Sequence, residues 1–312
     1  MSQPLAPSSQ LWQARAHAKV NLHLGVGEAR EDGFHELATV FQALEVHDIV
    51  SYRWSEDTTV EVTGRHAQGV PATTDNLAWR AVELVAQRLM LPATGILTME
   101  KNIPAAGGMA GGSADAAAAL LLANHALSTE FSREPVTEEK LFELAAELGS
   151  DVPFTLLGGT ALGRGRGELL TSMMSRGRYI WAIITNAEGL STPTVFHKLD
   201  ELRAAGRGSS PHLDTEAVGQ ALISGNPREL AAAMHNDLQP AALSLRPDLR
   251  KILETGEAAG ALKGIVSGSG PTCAFLCEDE ETAVEVVAQV CADNRGTRGL
   301  VTTGPASGAT LV

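Results

Sequence analysis

The sequence predicts an α+β protein with two domains. Its 312 residues suffice for two domains, and an apolar content of 44% can supply two hydrophobic cores. In the second half, the predicted elements follow the order β-α-β and then α-β-α-β, which is typical of a small α+β sandwich. We therefore predict a first domain at residues 11–178, a second at 179–308, and a flexible, Pro- and Ser-rich tail at residues 1–10.

The composition restricts the classes of partner. A formal net charge of −13 argues against a nucleic-acid partner, because nucleic-acid binding needs a basic surface. Three cysteines without a C-x-x-C pattern indicate a reduced protein without structural zinc. The longest apolar run, residues 116–123, is too short to span a bilayer, and we expect no signal peptide. These features predict a cytoplasmic protein without a membrane partner.

The first predicted strand covers residues 11–26. Apolar and polar side chains alternate there, as in a half-buried strand, and the polar face carries Lys19, Asn21 and His23. On the residues alone, a solvated face is the simpler interpretation. A charged turn follows, and then Phe34 and His35, which could offer a stacking surface beside a hydrogen-bonding edge. A surface aromatic beside a surface histidine is the alternative.

The next elements lead to a glycine-rich segment. Residues 49–54 and 58–64 predict a hairpin of two strands. A helix is predicted at 77–91, capped by Asp75 or Asn76, with a buried stripe of alanine, valine and leucine. A strand is predicted at 96–100, and Pro104 is expected to end it.

The segment PAAGGMAGGSADAAA, residues 104–118, is the strongest functional signal. It places four glycines and Ser113 before an Ala/Leu helix predicted at 114–127, which is apolar nearly all round and is expected to be central in its domain. Free backbone amides at such a junction bind anions, and a nucleotide phosphate is the obvious one. The P-loop lysine is missing after Gly112, and Met109 breaks G-x-G-x-x-G. An unliganded flexible loop is the alternative.

An acidic residue follows the next predicted helix. That helix covers residues 137–148 and ends at Gly149. Pro153 is expected to hold Val152 extended, which places Asp151 at a corner between the helix and a buried strand. A turn-forming acid is the common case at such a position, and a catalytic carboxylate is the alternative. The glycine- and arginine-rich residues 158–167 are expected to cross a sheet edge or connect domains.

The second half contains a simpler pattern. Strands are predicted at 179–185, at 273–277 after a Gly/Ser turn, and within 299–312. Helices are predicted at 227–234, 247–257 and 281–292, and a mobile loop is predicted at 204–215.

Four pieces in this order resemble the GHMP kinase superfamily: the Lys-x-Asn strand, the glycine-rich loop, GSDVPF at 149–154 and SGSGP at 267–271. The resemblance covers about residues 16–304. Within the superfamily, AKVNLHLGVGEAREDGFHELATVFQAL is similar to the kinases of 4-diphosphocytidyl-2-C-methyl-D-erythritol in the non-mevalonate isoprenoid pathway. The resemblance implies the two-domain GHMP kinase fold, with an N-terminal ATP-binding α/β domain and a C-terminal ferredoxin-like α+β sandwich.

The resemblance also implies the roles of individual residues. Lys19 matches the active-site lysine, and Asp151 matches the catalytic aspartate. Asn21 and His35 match substrate contacts, with His35 at the cytosine edge. Phe34 would stack on the base, and Phe196 would form the opposite face. Asn76 falls near the adenine pocket, and the ATP-phosphate loop is Pro104, Ala105, Ala106, Gly107, Gly108, Met109, Ala110, Gly111, Gly112, Ser113 and Ala114.

The phosphate loop departs from the family pattern at three positions. Ala106 and Ala110 replace glycine, and Ala114 replaces serine. Alanine restricts φ, so the approach of the phosphates differs in detail from that in the family.

The implied reaction is phosphorylation of a small-molecule alcohol, a cytidine diphosphate-linked methylerythritol, by ATP with Mg²⁺. Asp151 would accept the hydroxyl proton, and Lys19 would neutralise charge near that hydroxyl. Ser113 is a candidate Mg²⁺ ligand, and we assign no other metal ligand. We expect a monomer or a homodimer.

Two other functions are compatible with the motifs. Another GHMP kinase, for homoserine or mevalonate, would carry the same loop, but its small substrate has no base for Phe34 and His35 to contact. A nucleotide-binding regulatory protein without catalysis would not need both Lys19 and Asp151.

Overall fold

The fold consists of two β-sheets with helices packed on them. The structure is a computed structural model, and it describes residues 10–30, 33–104, 107–186 and 188–312. The predicted α+β class is confirmed. The strands of the described residues are β1 (Trp12–Ala29), β2 (His35–Arg53), β3 (Thr58–Thr63), β4 (Gly95–Glu100), β5 (Thr160–Arg164), β6 (Leu169–Ser172), β7 (Tyr179–Asn186), β8 (His235–Asn236), β9 (Lys263–Val266), β10 (Cys273–Cys277), β11 (Thr297–Gly304) and β12 (Thr310–Leu311).

Helices occur along the whole described chain. They are α1 (Leu77–Leu89), α2 (Gly111–Glu130), α3 (Glu138–Leu148), α4 (Val152–Leu157), α5 (Thr192–Ala204), α6 (Glu216–Ser224), α7 (Pro227–Ala233), α8 (Gln239–Leu245), α9 (Asp248–Ala258) and α10 (Glu280–Asp293). None of these helices is long and apolar enough to cross a membrane.

A long two-stranded ribbon of β1 and β2 forms the centre of the larger sheet. The two strands pair antiparallel almost from end to end, and the register shifts between His17 and Ala18 and again between Asn21 and His23. The predicted first strand is thus present and extends to Ala29, but it is not half-buried: the polar face with Lys19, Asn21 and His23 is buried, so the interpretation as a solvated face is wrong. His35 begins β2, which joins the predicted strand at 49–54 to the segment before it.

The predicted hairpin at 49–54 and 58–64 is wrong. The sheet order is β12-β1-β2-β4-β3, and β3 pairs parallel with β4 instead of antiparallel with β2. The end of β2 already pairs with β4, from Ile49 opposite Glu100 to Arg53 opposite Ile96. Alternation identifies a strand but not its partner, so this edge could not be assigned from the sequence.

Helices α1 and α2 pack against each other in the core beside this sheet. Asn76, one of the two candidates predicted for the N-cap, caps α1. The predicted stripe of alanine, valine and leucine along α1 is buried, together with Trp79. Helix α2 is buried over most of its length, which confirms its predicted central position. It begins at Gly111, so two glycines and Ser113 belong to its first turn and not to a preceding loop. Strand β4 ends at Glu100, before Pro104.

The predicted strand after Asp151 is a short helix, α4. Proline is tolerated in the first turn of a helix, where the missing N–H has no intrahelical acceptor. Pro153 occupies such a position, and Asp151 is the residue that caps the helix. Helix α3 ends before Gly149 as predicted, with φ of 167° at that glycine, which is extended backbone. Residues 158–167 contain β5, which pairs with β2 and β6.

The smaller sheet is antiparallel in the order β11-β7-β10-β9. The predicted elements of this half are present with ends shifted by a few residues, and α5, α6 and α8 were not predicted. Residues 205–215 contain no helix or strand. Two short strands of this half, β8 and β12, join the larger sheet by pairing with β1. The boundary after residue 178 stays a prediction, and the predicted tail falls mostly on residues 1–9, outside the described residues.

Candidate active site

A cavity of about 1060 Å³ collects most of the predicted site residues. It lies between β1, the glycine-rich loop, the start of α2, the corner at Asp151 and helix α5. Of the predicted residues, it is lined by Lys19, Asn21, Phe34, His35, Asn76, Pro104, Gly107, Gly108, Met109, Ala110, Gly111, Gly112, Ser113, Asp151 and Phe196. Ala114 is fully buried within α2 and does not line the cavity. Ala105 and Ala106 lie outside the described residues.

The glycine-rich loop turns sharply into α2. Gly107 and Gly108 have φ of 94° and 89°, and Ala110 has φ of 57°. An alanine in this left-handed region is strained where glycine is not. The first amides of α2 have no intrahelical acceptor, and the helix dipole favours negative charge at that end. The junction therefore has the properties of an anion site, as the sequence indicated.

The loop packs against the Gly/Ser turn that precedes β10. Ser267 Oγ donates to the carbonyl of Gly108 at 2.7 Å, and Thr272 Oγ1 donates to the carbonyl of Gly107 at 2.6 Å. A Cβ on Gly108 would lie 2.5 Å from the Ser267 carbonyl oxygen, so only glycine fits there. The second glycine motif of the sequence thus supports the first.

Lys19 and Asp151 meet beside this loop. Lys19 Nζ lies 3.5 Å from Asp151 Oδ2 and donates to Asn21 Oδ1 at 2.8 Å. The backbone N–H of Lys19 donates to the Met109 carbonyl at 3.2 Å, which joins the centre of β1 to the loop. Lys19 is buried, whereas the Asp151 side chain is 35% exposed and makes no hydrogen bond to the helix that it caps. The Asp151 carboxylate is therefore accessible from the cavity.

A cluster of rings occupies the other end of the cavity. The rings of His35 and Phe196 lie 5.2 Å apart between centroids, tilted by 35°. His35 Nε2 donates to Asp200 Oδ1 at 2.9 Å, which leaves Nδ1 as the acceptor of the neutral ring. Phe34 is half exposed, and the guanidinium of Arg166 lies 5.3 Å from its ring centroid.

A sealed ion triad lies at the floor of the cavity. Lys101 Nζ donates to both Asp48 and Asp115, and all three side chains are almost fully buried. Asp48 Oδ1 also accepts from the backbone N–H of Ile103 at 2.7 Å. Burial favours the neutral amine of Lys101, but the two carboxylates outweigh it and raise its pKa. Burial, together with Asp48, raises the pKa of Asp115 to about 8.

Sequence reasoning missed this triad and two neighbours of the ring cluster, Asp200 and Arg166. Asp200 and Arg166 left no local signal, because each is more than 100 residues from its partner in the sequence. A signal did exist for Asp115, which is an isolated carboxylate in a helix that is otherwise nearly all apolar.

Asn76 has a local structural task. Its Oδ1 accepts from the N–H of Ala78 at 2.9 Å, and its Nδ2 donates to the Pro71 carbonyl at 2.7 Å. The side chain therefore borders the cavity with its amide already engaged.

Within the described residues, no group of three or more His, Cys, Asp or Glu side chains could hold a metal ion. The oxygen-bearing side chains at the phosphate end of the cavity include those of Ser113, Asp115, Ser150 and Asp151.

Comparison with known proteins identifies relatives over the whole chain. A family model described as the GHMP kinases N terminal domain matches residues 76–159, and one described as GHMP kinases C terminal matches residues 220–296. The chain is 52% identical over 312 residues to the 4-diphosphocytidyl-2-C-methyl-D-erythritol kinase of Corynebacterium diphtheriae, covering 95% of this chain and 96% of that protein. It is 49% identical over 299 residues to the kinase of the same name from Mycolicibacterium smegmatis, covering 96% and 91%.

Solved structures agree with these relatives. A crystal structure of 4-(cytidine 5'-diphospho)-2C-methyl-D-erythritol kinase matches with a TM-score of 0.74 and 31% identity, over 93% of this chain and 98% of that one. The L. major mevalonate kinase in complex with R-mevalonate matches with a TM-score of 0.71 at 16% identity, over 98% and 100%. The second likeness concerns the fold alone.

Proposed function

The chain belongs to the GHMP kinase family, and from that membership we propose that it transfers the γ-phosphoryl group of ATP to the 2-hydroxyl of 4-diphosphocytidyl-2-C-methyl-D-erythritol. The observation that carries the proposal is the position of Lys19 and Asp151 beside the start of α2 in one cavity. The relatives at about 50% identity support this choice of substrate.

The start of α2 would hold the phosphates of ATP. The amides of its first turn and the helix dipole stabilise negative charge, which spreads over the phosphoryl oxygens in the transition state. Ser267 and Thr272 hold the loop carbonyls from behind, so the loop is organised before a nucleotide arrives. A preorganised donor set stabilises developing charge without reorganising during the reaction.

Asp151 would accept the proton of the attacking hydroxyl. The oxygen then forms a bond to the γ-phosphorus, the bond to the β-phosphate oxygen breaks, and ADP leaves. An accessible carboxylate without a capping bond is suited to this task, because its lone pairs remain available. Lys19 would neutralise charge at the acceptor, and Asn21 holds the ammonium group in place through its Oδ1.

Mg²⁺ fits this site with few protein ligands. Mg²⁺ usually keeps several waters and binds nucleotide phosphates with one or two protein groups. Ser113 and Asp151 are the partly exposed oxygen-bearing side chains that would hold it, whereas Asp115 is almost fully buried and its Oδ2 accepts from Lys101. When bound, the ion neutralises charge on the phosphates.

The ring cluster would hold the cytosine. His35 Nδ1 can accept from the exocyclic amine of the base, while Asp200 fixes the ring through Nε2. Phe34 and Phe196 supply apolar faces on either side, with Arg166 over the Phe34 ring. A mevalonate or homoserine kinase needs no such surface, because its substrate carries no base.

The experiment is ADP release by the purified protein with Mg-ATP, with and without 4-diphosphocytidyl-2-C-methyl-D-erythritol. We expect turnover that requires this substrate and is lost in both Lys19→Ala and Asp151→Asn. Mevalonate and homoserine are the comparison substrates, and they should neither turn over nor raise the melting temperature. ATP binding without turnover of the cytidine substrate would refute the proposal and favour a nucleotide-binding protein or another kinase.

A further inference from the structure

A second cleft, of about 650 Å³, adjoins the active-site cavity at residues 101–104. It runs along β11, the edge strand of the smaller sheet, and faces β2 across a hydrogen bond from the Val46 N–H to Thr302 Oγ1 at 3.0 Å. We call it the rear cleft. Its lining includes Arg65, His66 and Arg298 but neither Lys19 nor Asp151, so it is separate from the site described above.

The two ends of the rear cleft differ in charge. Arg298 pairs with Thr185 at one end of β11, whereas Thr302 lies four residues further along the strand, about 13 Å away. Glu45 precedes Val46 at the Thr302 end, and Glu280 follows β10 near the same end. Both carboxylates of the cleft therefore lie away from Arg298, together with Arg178, whose guanidinium donates to Thr303 Oγ1 at 3.4 Å.

The basic end is formed by Arg65, His66 and Arg298. Among the residues that the structure describes, neither Arg65 nor Arg298 forms an ion pair or a side-chain hydrogen bond. Burial lowers the pKa of His66, and the positive charges of Arg298, Arg65 and Lys101 lower it further. The negative charge of Asp48 acts in the opposite direction and raises this pKa. His66 thus lies among three positive charges at this end of the cleft, in a chain whose formal net charge is −13.

We propose that the basic end of the rear cleft binds the phosphate or diphosphate group of a small molecule. Two unpaired guanidiniums and an imidazole offer the planar, multiple donors that phosphate oxygens accept best. The remaining length of the cleft, along Leu300 and Val301, has room for an organic tail.

The wall between the two cavities couples them. Residues 101–104 form this wall: Lys101 and Ile103 line the active-site cavity, Asn102 lines the rear cleft, and Pro104 lines both. The backbone N–H of His66 donates to the Lys101 carbonyl at 3.2 Å, so the basic end is bonded to the wall. A ligand in the rear cleft therefore changes the affinity of the active-site cavity for nucleotide. This coupling rests on the proposed function.

The first test measures binding of inorganic pyrophosphate with the active-site cavity saturated by Mg²⁺ and a non-hydrolysable ATP analogue. The readout is the ring NMR signal of His66, assigned with His66→Gln, whose pKa should rise when an anion binds. We expect Arg298→Ala and Arg65→Ala each to weaken binding about tenfold, the scale of one charge-assisted hydrogen bond. Arg133→Ala removes an exposed arginine outside the cleft and should leave binding unchanged.

Equal pyrophosphate affinity in all three variants, or a His66 signal that does not respond, would overturn the proposal. An alkyl diphosphate that binds more tightly than pyrophosphate would identify an organic ligand, and equal affinities would identify free diphosphate.

The second test measures the ADP affinity with and without pyrophosphate. Direct competition in the active site would persist in Arg298→Ala, whereas coupling through residues 101–104 would disappear. We expect an effect of about fivefold that depends on Arg298. If pyrophosphate changes the ADP affinity of Arg298→Ala as much as that of the wild type, the coupling is contradicted. Failure of ADP to bind at all contradicts the proposed function instead.

Discussion

Two lysine–carboxylate contacts border the same cavity; both lysines are buried, and the contacts differ in the exposure of their carboxylates. In the open pair, Lys19 lies 3.5 Å from an Asp151 side chain that is 35% exposed. In the sealed triad, Lys101 donates to Asp48 and Asp115, and no member is more than 3% exposed. The open pair keeps unused acceptor capacity, whereas Asp48 uses both of its oxygens.

The difference separates chemical from structural use of the same ions. A buried ion that loses its partner destabilises the fold strongly, because water cannot replace the lost contact. A partly exposed carboxylate remains hydrated and can exchange water for a substrate hydroxyl. We therefore expect changes in the open pair to alter rate and changes in the sealed triad to alter stability.

Asp151→Asn should give the largest effect. It removes the proposed general base, so kcat should fall by about 10²–10⁴-fold with little change in KM. The melting temperature should stay near that of the wild type, because the Asp151 side chain is partly exposed and does not cap α4 through a hydrogen bond, and because buried Lys19 keeps Asn21 Oδ1 as an acceptor. Steady-state kinetics and thermal unfolding measure both, with Glu147→Gln on the exposed side of α3 as the control for charge. Wild-type kcat would remove Asp151 from the mechanism.

Lys101→Met should destabilise the protein by about 3–5 kcal/mol, since it leaves the buried carboxyl groups of Asp48 and Asp115 without the ammonium group that donates to both. The matched variant is Lys19→Met, in the open pair. Its free energy of unfolding should change by no more than about 1 kcal/mol, while its activity is lost. Urea unfolding at pH 7 compares the two variants. Equal destabilisation by both would erase the distinction between the pair and the triad.

Asp115→Asn tests the sealed triad through pH. Burial raises the pKa of folded Asp115 to about 8, above the ordinary value in the unfolded chain. Between about pH 4 and pH 8 the folded protein holds a proton on Asp115 that the unfolded chain has released. The stabilisation that comes from this proton is therefore full below about pH 4 and is lost as the pH rises to 8. The free energy of unfolding of the wild type should fall relative to that of Asp115→Asn as the pH rises from 5 to 8, as measured by urea unfolding. Parallel profiles would contradict the raised pKa.

Asn76→Ala should give the smallest effect, because Asn76 borders the cavity but its amide is engaged as the cap of α1. Loss of an N-cap costs about 1 kcal/mol, and Asn76→Asp should recover most of it by keeping the acceptor. If the side chain also contacts adenine as predicted, the KM for ATP should rise in both variants. If the KM for ATP rises only in the variant that is also destabilised, Asn76 acts only as the helix cap.

The sequence predicted what depends on local pattern. The strand β1 with Lys19 and Asn21, the glycine-rich junction before α2, and three of the six helices described after residue 178 (α7, α9 and α10) follow from periodicity and turn residues. The helix after Asp151 was missed because proline is compatible with both an extended corner and a first helical turn.

What the sequence did not reveal depends on distant partners. Asp48 and Lys101 are 53 residues apart, and His35 and Asp200 are 165 apart. The pairing of β3 with β4 instead of β2 has the same origin. Periodicity describes one element at a time, so it cannot state which elements become neighbours.

The central strand β1 receives its neighbours at very different times during synthesis. On one side it pairs with β2, which follows at once. On the other side it pairs with β8 at His235 and Asn236 and with β12 at Thr310 and Leu311. Until those residues have left the ribosome, this side of β1 is an open edge that can pair with another chain. The strand that carries Lys19 is therefore exposed to pairing with other chains until residues 310 and 311 have been synthesised.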